Sequence, residues 1–213
     1  MTSSPGHDRA HAAPAAWSRR IRRELGDIRY AWGDPVTRWG ALGSLLIFIG
    51  AYGPSTMPNS NFWRDLPAIG LMQTTLPGRI LATGAMLIGV VIVLDAWLRL
   101  RPSKGHRALT RGTVWCWSLP LLFAPPLLSF DAFSYAAQGE LVSRGFDPYQ
   151  VGPGVLGDAF TSQVDQKWRD TPAPYGPLSL QLQHLLVVVT DHQPYLSALL
   201  VRIPAFIGVL LLA

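Results

Sequence analysis

Cysteine is almost missing from these 213 residues. Cys116 stands alone, so no disulfide can form within the chain and no cysteine cluster can hold a metal. Charge is scarce too, at 15% Asp, Glu, Lys and Arg against 49% hydrophobic residues. Soluble domains carry about 25% charged residues, so this balance points to a chain solvated by lipid. Acids are outnumbered and the formal charge is +5. The basic residues flank apolar runs and form no stripe with interleaved aromatics, which argues against a nucleic-acid partner. There is no Gly-rich phosphate loop, no HExxH helix and no Ser-His-Asp arrangement. The first apolar run starts late and has no small-x-small site after it, so it does not read as a secretory leader.

What is present is a series of apolar runs. They predict an all-α, polytopic membrane protein with about five spans: residues 38–52, 78–98, 113–128, 176–189 and one from Leu196 onward. The first is short unless residues from Val36 join it. Gly84 and Gly89 in the second permit close helix packing, and Asp95 lies near its interfacial end. Pro120, Pro125 and Pro126 predict a third span that is kinked or broken toward its far end. Gln181, Gln183 and His184 require the fourth to face protein or a cavity. The fifth contains Arg202 and Pro204 and the chain stops within it, which reads as the N-terminal part of a longer protein.

Basic residues give the orientation. Arg9, Arg19, Arg20, Arg22, Arg23 and Arg29 precede the first span and Arg38 opens it; Arg99, Arg101, Lys104, Arg107 and Arg111 follow the second without an acid. The positive-inside rule then makes residues 1–37 a cytoplasmic basic tail, whose run SRRIRRELGDIRY is either a helix on anionic headgroups or a solvated tail. Spans at 38–128 lead to an extracytoplasmic loop at 129–175, and 176–213 returns to the membrane. The localisation expected is a plasma membrane crossed many times.

That loop is the long polar segment between apolar ones. Asp131 or Ser129 can cap a helix running to about Ser143, with Arg144-Gly145 as its stop. Helical spacing puts Asp131, Tyr135, Gln138 and Val142 on one face and Phe133, Ala137 and Leu141 on another, able to pack on the membrane or on neighbouring spans. FDPYQVGPG is a proline-restricted turn, and TPAPYGPL is a rigid approach to the fourth span. Each residue keeps two readings. Asp131 is a helix cap or a general base; Tyr135, Tyr149, Tyr175 and Trp168 are interface anchors or sugar platforms. His184 satisfies a buried hydrogen bond. Arg202 is a salt-bridge or snorkelling residue or a functional cation, and the penalty on arginine in hydrocarbon favours function.

The series DAFSYAAQG, RGFDPYQVGP and WRDTPAPYGPL resembles the GT-C glycosyltransferases, and within them the actinobacterial polyprenol-phosphomannose-dependent α-1,6-mannosyltransferases. The resemblance is specific over Phe130 to Leu178 and generic over the spans. It implies a truncated GT-C fold with a helical outer loop, and an inverting transfer of mannose from polyprenyl-phosphomannose to the mannan of lipomannan or lipoarabinomannan. Asp131 matches the family's catalytic acid and would be the base. Tyr135, Gln138, Tyr149 and Tyr175 would contact sugar. Lys167, Arg169 or Arg202 would face the leaving phosphate, Arg202 foremost. Some relatives use a divalent metal, so one is possible here; no ligand set for it is identified. Two alternatives stay open: a non-catalytic membrane piece that binds polyprenyl lipid or scaffolds wall assembly, and a related transferase of another sugar.

Overall fold

The computed structural model describes residues 9–55, 57, 65–100 and 109–212, with side chains from Ser18 onward. The expectations for Arg101, Lys104 and Arg107, for the Arg9 side chain and for residues 56 and 58–64 of the loop after the first span lie outside the described residues; the described remainder of that loop includes a helix not expected there. Among those described, the chain is helical throughout and has no strand. Eleven α-helices are seen: α1 (Arg9–Trp32), α2 (Pro35–Ala51), α3 (Pro67–Thr74), α4 (Leu76–Arg99), α5 (Arg111–Leu122), α6 (Asp131–Ser143), α7 (Ala159–Gln163), α8 (Gln166–Arg169), α9 (Pro177–Val189), α10 (Pro194–Leu200) and α11 (Arg202–Leu212). A 3-10 turn at Pro153–Leu156 precedes α7.

Local chemistry explains where the helices begin. Proline occupies the first turn of α2, α3, α4, α9 and α10, where its missing N–H costs nothing and its fixed φ fits the helix. Thr75 caps α4 by accepting from Gly78 N (3.1 Å), and Thr110 caps α5 by accepting from Thr113 N (3.2 Å).

Among the described residues, two segments are long and apolar enough to cross a membrane: Leu76–Arg99 and the nearly continuous Pro194–Leu212. Leu81, Leu87, Val91 and Leu94 of α4 and Leu211 and Leu212 of α11 are exposed, as lipid-facing residues would be. The 17-residue α2 rises about 25 Å and the 12-residue α5 about 18 Å. Five spans are therefore not what the helices display.

The directions of four helices follow from their contacts. α2 and α4 are antiparallel: Gly50 abuts Ala82 and Met86, Gly43 abuts Gly89, and Trp39 donates Nε1–H to Asp95 Oδ2 at 3.0 Å. α5 runs parallel to α2, with Thr37 and Thr113 hydroxyls 3.1 Å apart and Trp117 Nε1 donating to Thr37 O at 2.8 Å. α11 returns beside α5. Arg202 lies at its far end, Phe206 meets Trp115 edge-on (4.8 Å), and Arg111 reaches Leu210 O (2.8 Å). One end of this four-helix arrangement carries α1 and a small core of Ala41, Ala96, Leu100 and Trp117. The other carries α3 and α6 to α10 around a larger core that joins Tyr52 and Ile69 to Phe133, Leu141, Val187 and Ala198.

The fourth expected span, residues 176–189, is the 13-residue α9, too short to be shown as a crossing. α9 lies along α6, and the connector after it comes back to α6, where His192 Nδ1 is 2.6 Å from Glu140 Oε2. It belongs to the layer at the α6 end. Periodicity exposed an apolar helix, but only the contacts show which neighbour it follows.

The α2–α4 seam depends on glycine because the two backbones touch. A Cβ on Gly89 would sit 2.6 Å from Gly43 O and 2.8 Å from Ile47 N. Gly89→Ala should therefore destabilise the fold by about 1–3 kcal/mol, lowering the thermal unfolding midpoint in detergent. Gly84→Ala on the same helix, where a Cβ meets nothing within 4 Å, should leave the midpoint unchanged or raise it slightly. Equal effects would show that the seam tolerates separation.

Candidate functional site

The site is built from the broken end of α5. Pro120 lies inside that helix, and the chain leaves helical geometry after Leu122, through buried Pro125 and Pro126. Leu128 then adopts φ 63°, a left-handed conformation that costs a branched side chain roughly 1–3 kcal/mol. Arg202 gathers the carbonyls at this break, including Leu121 O, which also accepts from Ala124 N at 3.3 Å. Its Nη1 donates to Leu121 O (2.9 Å) and to Ala124 O, and its Nη2 donates to Pro125 O (3.1 Å). An arginine in a span thus has a structural occupation that its sequence position did not reveal.

Beyond the break, Ser129 Oγ accepts from Asp131 N at 3.0 Å and α6 begins. Asp131 is the first helical residue, exposed, and its carboxylate caps no backbone N–H. One turn on, Tyr135 meets Tyr175 edge-on, with ring centroids 5.3 Å apart. Tyr149 Oη donates to Tyr175 O at 2.9 Å. Burial, with the neighbouring Tyr135 and the negative charge of Asp131, pushes the Tyr175 phenol up to about 12. It therefore keeps its proton as a hydrogen-bond donor at neutral pH. Asp131, Tyr135, Tyr149 and Tyr175 are brought together at one end of α6.

The two loop motifs are folded onto each other. Ala173 N donates to Pro148 O at 2.7 Å, and Gly152 lies against the backbone of Arg169 to Thr171. Several loop acids act as local caps. Asp147 accepts from Tyr149 N, Asp158 from Phe160 N and Asp165 from Lys167 N, each at 2.9 Å. Lys167 is exposed on α8; Arg169 Nε donates to Val164 O at 3.1 Å.

Gln138 departs from the expected polar face. Its side chain is only 4% exposed, and α6 is enclosed over most of its surface, with Phe133, Ala137 and Leu141 in the protein core and not on lipid. Gly139 makes this possible, since a Cβ there would strike Gln183 O of α9. The resulting seam is polar. Among the described residues, Ser134 Oγ, Gln138 Oε1, Gln183 Oε1 and His184 Nδ1 are buried without a hydrogen-bond partner. His184 is thus not satisfied in the way expected of it. No three metal-ligating side chains cluster among the described residues.

A charged network that sequence reasoning passed over holds the other end of α6. Buried Glu140 accepts from Arg144 Nε at 2.7 Å and meets His192 Nδ1 at 2.6 Å, while Arg144 also reaches Asp158. Glu140 and Arg144 stand four apart, a spacing that could have flagged the pair; His192 could not have been found that way.

Comparison with known proteins gives a consistent result. The family model described as alpha-(1->6)-mannopyranosyltransferase, N-terminal domain, matches residues 37–213. A probable alpha-(1->6)-mannopyranosyltransferase of Mycolicibacterium smegmatis is 38% identical over 181 residues, 80% of this chain and 32% of its own. An alpha-(1->6)-mannopyranosyltransferase of Mycobacterium tuberculosis is 40% identical over 184 residues, 82% and 30%. Alpha-(1->6)-mannopyranosyltransferase B of Corynebacterium glutamicum is 31% identical over 200 residues, 85% and 32%. The chain thus spans about a third of the length of these relatives. No solved structure matches.

If Arg202 holds the α5 break, Arg202→Gln should lower stability by about 1–3 kcal/mol through unsatisfied carbonyls. It should also make the 123–130 passage the first site of limited proteolysis. Cleavage there at the parental rate would mean that Pro125 and Pro126 hold the passage unaided.

Proposed function

The chain belongs to the alpha-(1->6)-mannopyranosyltransferase family, and from that footing we propose that it forms the membrane-embedded N-terminal part of an inverting mannosyltransferase. The donor is polyprenyl-phosphomannose, the acceptor an α-1,6-mannan such as that of lipomannan or lipoarabinomannan, and Asp131 is the base. The observation that carries this reading is the position of Asp131. Its carboxylate stands exposed and unused for capping at the open end of a buried helix, beside the paired rings of Tyr135 and Tyr175.

An α product from a β-linked donor needs a single displacement at the anomeric carbon. The acceptor 6-oxygen forms a bond to C1 as the bond from C1 to the phosphate oxygen breaks. Asp131 takes the hydroxyl proton, and polyprenyl phosphate leaves with the electron pair. Tyr175, still protonated, donates to a sugar oxygen, and Tyr135 and Tyr149 offer ring faces and hydroxyls. Gln138, buried behind them, acts on the site through α6 and not by direct contact. Charge on the departing phosphate calls for a cation. Arg202 is engaged by three carbonyls and Arg169 by one. Exposed Lys167 is the candidate of the three that we retain for the phosphate, and Arg202 becomes a positioning residue.

For topology we propose four crossings: outward by α2, inward by α4, outward by α5 with the passage after it, and inward by α10–α11. Residues 129–175 and α9 then lie together on the outer face, with α1 at the cytoplasmic one. Support comes from the arginines of α1 and from the placement of α1 and α6 at opposite ends of the α2–α4 pair.

Transfer of mannose from polyprenyl-phosphomannose to a short α-1,6-mannoside tests the chemistry, in membranes carrying the complete reading frame. Asp131→Asn should reduce the rate by about 10²–10⁴-fold at unchanged protein level. An unchanged rate would give the base role to another residue, and transfer of a different sugar in donor competition would change the substrate.

Topology is tested with single cysteines in a Cys116→Ser background. An impermeant maleimide should label Lys167→Cys and Gln193→Cys on intact cells, and Arg19→Cys only after the membrane is opened. Protection of Gln193→Cys would restore a crossing by α9.

A further inference from the structure

We propose that the α1 end of the bundle is a binding site for an anionic phospholipid, its phosphate held by arginines of α1 and one acyl chain lying in the groove between α1, α2 and α5. The proposal rests on the helices crossing a membrane and is independent of the sugar chemistry at the other end.

The first half of the site is a cavity of ≈ 540 Å³ lined by Arg19, Arg20, Arg23, Glu24, Asp27 and Arg111. Four arginines face two carboxylates there, and one of these carboxylates is already engaged. Glu24 accepts from Arg111 Nη2 at 2.9 Å and from Trp115 Nε1 at 2.8 Å. Burial works against the Glu24 anion, but these two donors, with the charges of Arg111 and Arg20, hold its carboxyl below the usual range. Arg19, Arg20 and Arg23 are exposed, with Asp27 the remaining acid in the lining.

The second half adjoins the first through Trp115. Its indole N–H holds Glu24, and its ring lines a groove of ≈ 520 Å³ with Ile28 and Trp32 of α1, Leu42 and Leu45 of α2, and Leu119 of α5. Arg38 is the one charged residue in that lining. Ile21, Leu25 and Trp32 are about half exposed and share one helical stripe with Ile28, so the face of α1 that lines the groove continues along the helix as exposed apolar surface.

These parts fit one occupant. A soluble phosphate would use the arginines and leave the groove empty, and a neutral lipid would do the reverse. A lipid with an anionic headgroup uses both, while the apolar stripe beds α1 into the same leaflet. Basic residues near an anionic surface contribute about 1 kcal/mol each, enough for three arginines to impose a headgroup preference of at least about tenfold.

The test uses the whole chain purified in detergent, with tryptophan fluorescence quenched by lipids brominated on their acyl chains. Brominated phosphatidylglycerol should quench at a concentration about tenfold below that of brominated phosphatidylcholine. The triple change Arg19→Gln, Arg20→Gln, Arg23→Gln should abolish the preference with helicity unchanged. The corresponding triple lysine variant should keep most of it, and Arg38→Gln at the groove should weaken it in a fold with α1 intact. Equal quenching by the two lipids in the parent protein would overturn the proposal, as would a preference that survives the triple glutamine change. Displacement of phosphatidylglycerol by equimolar inorganic phosphate would reassign the cavity to a free anion.

Discussion

The link between the α2–α4–α5–α11 bundle and the α6 layer runs through one side chain gripping a broken helix. α5 must stop before Pro125 and Pro126, and a helix that stops inside a low-dielectric bundle leaves carbonyls with no water to accept from. Arg202 supplies the donors from α11, to Leu121, Ala124 and Pro125. The same bonds join the ascending α5 to the descending α11 and direct the passage that follows toward Ser129. Without that anchorage the passage from Phe123 to Phe130 would depend on a strained Leu128 and two prolines, and Asp131 would be positioned by the packing of α6 alone.

From this joint the two ends of the bundle diverge in character. At the α6 end, a buried helix is held at its far terminus by Glu140, Arg144, Asp158 and His192, and presents a carboxylate and phenols at its near one. Rigidity behind and exposure in front suit the base role proposed for Asp131. At the α1 end, arginines and exposed apolar residues share one helix, an arrangement suited to a charged surface and not to chemistry. The glycine-lined seam of α2 and α4 separates the two ends and keeps them in fixed relation.

Much of this was legible in the residue order. Apolar runs located α2, α4 and α9 and the starts of α5 and of the α10–α11 segment to within about three residues, because lipid and core both select long apolar stretches. Prolines marked the break after Leu122 through steric rules that act within one turn. The loop helix and its stop at Arg144-Gly145 were visible from helical periodicity and glycine. Less legible was which surface each apolar run would meet. α9 has the composition of a short span, yet it follows α6, since Gly139 lets the two backbones approach. Gln138 shares a helical face with Asp131 and Tyr135, yet α9 covers it. Arg202 looked like a cation awaiting a phosphate, yet three carbonyls from residues about eighty positions earlier hold it.

The sequence by itself determined the main apolar helices, the loop helix α6 and the charge asymmetry between the first forty residues and the loop, all properties of spacing, capping and local composition; it did not show α3, α7 or α8. It also singled out Asp131 and the tyrosines through motifs that resemble one family. Tertiary structure decided which helices pack against which, which polar side chains are buried, and which cation is already engaged. Those outcomes depend on contacts between residues far apart in the chain, such as Glu140 with His192 and Arg202 with Leu121, and no local pattern encodes such a pairing.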